Sequence, residues 1–98
     1  MNTDDKLYDN SVTALRVAVS PTGGHLHYRV PLTRDVNRAL LDGFIAYCEG
    51  AFGTSAIRTV GPNNVQYAYD RNGTWVATWG AFHFAHEDDA VAFALHSA

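Results

Sequence analysis

The sequence holds one cysteine, Cys48, in 98 residues. A single thiol excludes an intramolecular disulfide and a cysteine-rich zinc module. Lysine and arginine are also few, 7 against 10 acids, for a formal net charge of −3 and a pI near 5.9. That balance disfavours generic phosphate-backbone binding, which needs clustered cations to release counterions. No stretch approaches the roughly 18 apolar residues of a membrane span. The start, "MNTDDKLYDN", is polar and acidic, where a signal peptide begins basic and then apolar. These absences predict a cytoplasmic protein with no membrane association. There is no internal repeat, no low-complexity tract and no Gly-rich phosphate loop, because Gly23-Gly24 belongs to a turn.

What is present is an ordinary globular composition, 47% hydrophobic and 17% charged. It predicts a flexible N-terminal arm over 1–10 and a single domain over 11–98. Leu15, Val17 and Val19 alternate, as do Leu26, Tyr28, Val30 and Leu32, with "SPTGG" between them. The pattern predicts a β-hairpin over 12–32. If both apolar sets share a face, Val19 opposes Leu26 and Arg16 opposes Arg29 on the outer side, with Ala18 opposite His27 and His25 near the turn. Residues 34–52 read as a helix capped by Thr33, with Val36, Leu40, Phe44, Tyr47, Cys48 and Ala51 at helical spacing. Gly43 inside it predicts a close packing contact.

Ile57 to Val60 reads as a short strand, followed by "VQYAYD" and "TWVATW" joined through Arg71-Asn72-Gly73. That loop sets Tyr69 against Trp75. A tight Gly80-Ala81 turn into "FHFA" then sets Phe82 against Trp79 and Phe84 against Ala77. Val65, Tyr67, Tyr69, Trp75, Trp79, Phe82 and Phe84 share one face of this meander, for burial. Gln66, Ala68, Asp70, Thr74, Val76, Thr78 and His83 take the other, toward water. Residues 87–97 read as a second helix, with Glu87, Asp88 and Asp89 in its first turn and an apolar arc of Ala90, Val91, Phe93, Ala94 and Leu95. The expected fold is α+β, in the order ββαβ(βββ)α. It is a two-layer sandwich of a mostly antiparallel sheet of five to six strands, with both helices on one face.

Four chemistries compete on this frame. A metal site would draw on His25-x-His27 and His83-x-x-His86 with Asp88 or Asp89, but the pairs lie at opposite ends of the chain and zinc wants about three or four ligands together. Catalysis needs a nucleophile with a base, or paired carboxylates. Cys48 lies on a buried stripe, and Asp88 and Asp89 diverge by about 100 degrees on a helix. "WGAFHFAHEDDAVAFAL" resembles the third strand and following helix of RNA-recognition-motif domains, whose aromatic side chains stack on bases. It departs from that family in having no Lys or Arg before Gly80 and in its leading hairpin. Arg16 opposite Arg29 is the remaining oddity. Like charges across a ladder repel unless an anion bridges them, and Arg binds carboxylate or phosphate as a fork.

Phe82, Phe84, Asp89, Ala90, Phe93 and Leu95, an aromatic-x-aromatic strand followed by acids and a Phe-x-Leu helix, resemble the ending of small phage-encoded α+β proteins of unknown function. The resemblance implies a non-catalytic accessory protein that binds a host or phage macromolecule, as an inhibitor for example. The expected function is therefore a small binding module, not an enzyme and without cofactors. It acts by protein–protein contact through Arg16, His25, His27 and Arg29 on a partner with an acidic surface. Single-stranded nucleic-acid binding through the sheet is the alternative, a His-based metal site comes third, and the edge strands could serve a homodimer.

Overall fold

The computed structural model describes residues 6–8, 11–61, 66–78 and 80–98. Along the chain these form β1 (Lys6–Tyr8), α1 (Ser11–Ala18), β2 (Tyr28–Pro31), α2 (Arg38–Phe52), β3 (Ile57–Val60), β4 (Gln66–Tyr69), β5 (Trp75–Ala77), β6 (Ala81–Phe84) and α3 (Glu87–Ser97). The fold is α+β, with three helices and two small antiparallel sheets among the described residues, ordered β1-β4-β3 and β2-β6-β5. Three residues of the expected N-terminal arm are thus a strand paired with β4; residues 1–5 and 9–10 lie outside the described residues.

The expected first hairpin does not form, because its first half is a helix. Leu15, Val17 and Val19 alternate, but Ala14 and Ala18, four apart, are both fully buried and give α1 a small-residue face. Alanines at that spacing let the helix sit close to β4. The chain then doubles back over the helix end, where the His25 and Leu26 amides both donate to the Ala18 carbonyl, at 2.9 and 3.0 Å. Gly24 is required at this reversal, since a Cβ there would lie 2.4 Å from the Val17 carbonyl oxygen. The second half survives as β2, but it pairs with β6.

The expected β4–β5 hairpin is also replaced. Asp70 closes the intervening turn, accepting from the Asn72 amide on Oδ1 and from the Gly73 amide on its carbonyl. The two strands nevertheless diverge, because Ala56 inserts between their ends. Its carbonyl accepts from the Asp70 amide at 2.7 Å and its amide donates to the Trp75 carbonyl at 2.8 Å. A single parallel bridge, Ser55 to Trp75, joins the sheets there. The β5–β6 register differs from expectation by two residues, with Ala77 opposite Phe82 and Trp75 opposite Phe84. Thr78 is the cause. Its Oγ1 accepts from the Ala81 amide and its amide donates to the Ala81 carbonyl, which closes the hairpin at 78–81. Val65 and Trp79, both assigned to the aromatic face, lie outside the described residues.

The helices are closer to expectation. α2 starts one turn late, capped by Asn37, whose Oδ1 accepts from the Leu40 amide at 2.8 Å. It ends at Gly53, with φ 90°. Gly43 makes no close contact, and a Cβ there would meet nothing within 4 Å. α3 has the expected bounds but a narrower inner face. Ala90 and Phe93 are buried, whereas Val91 and Leu95 are 53% and 76% exposed.

Two clusters make the core. Leu41, Phe44, Cys48, Trp75, Phe82, Phe84, Ala90 and Phe93 fill the space between β2-β6-β5 and helices α2 and α3. Phe82 and Phe93 stack there with ring centroids 4.4 Å apart. Ala18, Leu26, Ala56, Tyr69 and Val76 form the second, beneath α1. Trp75 and Val76 are consecutive on β5 and point to opposite faces, so β5 is covered on both. Val76, expected in water, is therefore buried, Ala68 on β4, also expected in water, is buried as well, and the helices do not all lie on one face.

Candidate functional site

The four residues expected to form one strip belong to different structures. Arg16 lies in the last turn of α1, exposed. Arg29 is exposed on β2, opposite His83 of β6, so the Arg16–Arg29 cross-strand pair does not exist. The helical conformation of 11–18 removed it. His27 is exposed, and its Nε2 is 3.0 Å from the Gly24 carbonyl oxygen. His25 is half-buried between the Tyr69 hydroxyl and the Gly73 carbonyl. A carbonyl only accepts, so in the neutral ring Nε2 carries the proton and Nδ1 accepts from Tyr69. Both nitrogens of His25 are engaged inside the fold, a role with no local signal because residues 25, 69 and 73 are far apart in the chain.

His83 is half-buried in the row Arg29–His83–Val76. Burial pushes its pKa below the usual 6.5, and the Arg29 guanidinium adds to the effect. His86 is exposed at the N-cap position of α3, beside Tyr28, Glu87 and Asp88 around a hollow of about 270 Å³. Among the described residues no three His, Cys, Asp or Glu side chains are grouped to hold a metal ion. Cys48 is fully buried, and its thiol is pushed up to about 12, first by burial and then by Asp89 and Glu49. A thiol so protonated is a poor nucleophile. Phe82 and Phe84, which a base-stacking sheet would expose, are fully buried under the helices.

The larger concavity was not anticipated. An open apolar groove of about 610 Å³ lies where the two sheets part. One wall is Val12 and Leu15 of α1 with Ile57, Tyr67 and Val76; the other is Ile45 and Glu49 of α2 with Ala77. Glu49 is the one Asp, Glu, Lys, Arg or His among the described residues lining it. Val12 stands 55% exposed at its mouth. No sequence pattern could have shown it, because the groove depends on β3 and β5 starting together and then separating.

The strand edges in the groove have a definite polarity. The Asp70–Ala56 hydrogen bond fixes the alternation along β3–β4, so the backbone groups of Ile57 and Thr59 point away from β4. The Ala85–Thr74 and Thr78–Ala81 bonds do the same for β5–β6, so those of Ala77 point away from β6. Ile57 and Ala77 each stand two residues beyond the Ser55–Trp75 bridge. The two edges thus face each other across the groove.

No family model, no curated protein and no solved structure matches this chain.

Proposed function

We propose that the protein is a small non-catalytic binding module, of the accessory or inhibitor type that its phage-like C-terminal stretch implies, and that it works by protein–protein contact. The contact surface is the groove between the two sheets, in place of a strip along the first hairpin. The observation that carries this reading is the groove's chemistry. Its walls, Val12, Leu15, Ile45, Ile57 and Tyr67 among them, leave apolar area open to water, and concave apolar area of this size is where binding sites concentrate. The buried, protonated Cys48 thiol gives no support to nucleophilic catalysis.

The test is affinity capture from cells of the source organism, comparing the native protein with the double variant Val12→Glu, Thr59→Glu. Both side chains are exposed, so the substitutions charge the groove while sparing the core. The expected result is one protein retained by the native chain and lost by the variant, with circular dichroism unchanged. Equal retention by both would refute the groove as the contact surface, and retention of nucleic acid with a steep salt dependence would favour the alternative reading.

A further inference from the structure

We infer that the groove takes an extended segment of the partner as an added strand between β3 and β5, with alternate residues apolar and a lysine or arginine opposite Glu49. This rests on the protein-contact reading above and specifies its partner. Among the described residues, sheets β1-β4-β3 and β2-β6-β5 share one β-bridge, Ser55–Trp75, after which their edges run on in the same direction with the groove between them. The pairing alternation turns the N–H and C=O of Thr59 and Ala77 into that gap. Among the described residues no strand pairs with either edge on that side, and a facing pair of such edges is the backbone requirement for strand addition.

The walls then dictate the side chains. Successive residues of an inserted strand point alternately to the α1 side and the α2 side. The α1 side presents Val12, Leu15 and Val76 and calls for β-branched or other apolar residues. The α2 side presents Ile45 and Glu49, and Glu49 selects a cation over an anion. The acidic net charge of the chain, −3, acts in the same direction.

The probes are blocked peptides Thr-Val-X-Val-Thr with X lysine, glutamine or glutamate, and a form of the lysine peptide N-methylated at both valines. Each is titrated into the 15N-labelled protein at low salt. The expected result is saturable movement of the Thr59 and Ala77 amide signals, with the lysine peptide roughly three- to five-fold tighter than the glutamate peptide, as a partly exposed ion pair allows. N-methylation abolishes the movement, and Glu49→Gln levels the lysine and glutamate affinities. Binding that leaves Thr59 and Ala77 unmoved, or that survives N-methylation, overturns strand addition. Equal affinities for the native protein overturn the cationic preference. If no peptide binds while the groove variant still loses the captured protein, strand addition is wrong and the protein-contact reading stands. If peptides bind but capture does not depend on the groove, the protein-contact reading is the one that fails.

Discussion

The imidazole of His25 satisfies two groups at once, the Gly73 carbonyl and the buried Tyr69 hydroxyl, and so ties the segment leading into β2 to the end of β4 and the turn after it. His83 has a different part. Burial, helped by Arg29, lowers its pKa below the ordinary 6.5, so the folded protein resists a proton that the unfolded chain accepts. Stability from this residue is therefore complete above pH 6.5 and declines as the pH falls from there through the lowered folded value. Arg29→Gln should raise the His83 titration midpoint, followed by NMR of the ring protons, yet leave it below the ordinary value, because burial is the larger cause. A midpoint unchanged by the substitution would mean that Arg29 exerts no field on the ring. The individual histidines were legible as candidates in the sequence. The groups that engage His25 and His83, namely Tyr69, Gly73 and Arg29, were not, since each lies tens of residues away.

At the scale of elements, glycine separates positions that need space from positions that only interrupt a helix. Gly43 sits in the middle of α2 with nothing near its missing side chain, so Gly43→Ala should stabilise the protein by about 0.5–1 kcal/mol in urea denaturation. Gly73 lies against the backbone of Ala56, and a Cβ would come within 2.3 Å of its Cα. Gly73→Ala should therefore cost about 1–3 kcal/mol or more, as overpacking against an immovable backbone does. If the two substitutions had equal effects, the insertion of Ala56 between β4 and β5 would be wrong. The bounds of α3 were legible, because acids in its first turn and Ala90 and Phe93 at helical spacing agree with each other, but the width of its inner face was not, since Val91 and Leu95 stay exposed. α1 was not, because its residues fit a period of two as well as one of 3.6, and the contact of Ala14 and Ala18 with the rest of the fold selected the helix.

For the whole molecule, β5 is the hinge of the architecture, with Trp75 in one cluster and Val76 in the other. Trp75 also donates from its indole Nε1 to the Gly53 carbonyl at 2.8 Å, which fixes the end of α2. Clusters sharing a strand should melt together. Phe93→Ala, in the first, and Leu26→Ala, in the second, should each lower stability by about 2–5 kcal/mol within a single cooperative transition. Fluorescence and far-UV circular dichroism should report the same midpoint for each variant. Separate midpoints would show two independently folding halves.

The sequence alone determined the α+β class, the long helix, the C-terminal helix and the burial of Cys48, Phe82, Phe84 and Phe93, because short-range periodicity encodes which residues leave water. Tertiary structure decided the rest: the helical state of residues 11–18, the partner of each strand, and the groove with Glu49 in its wall. Strand pairing is a competition among edges distant in the chain. Here Ala56, small enough to enter between β4 and β5, settled that competition by taking the hydrogen bonds that a local hairpin would have used.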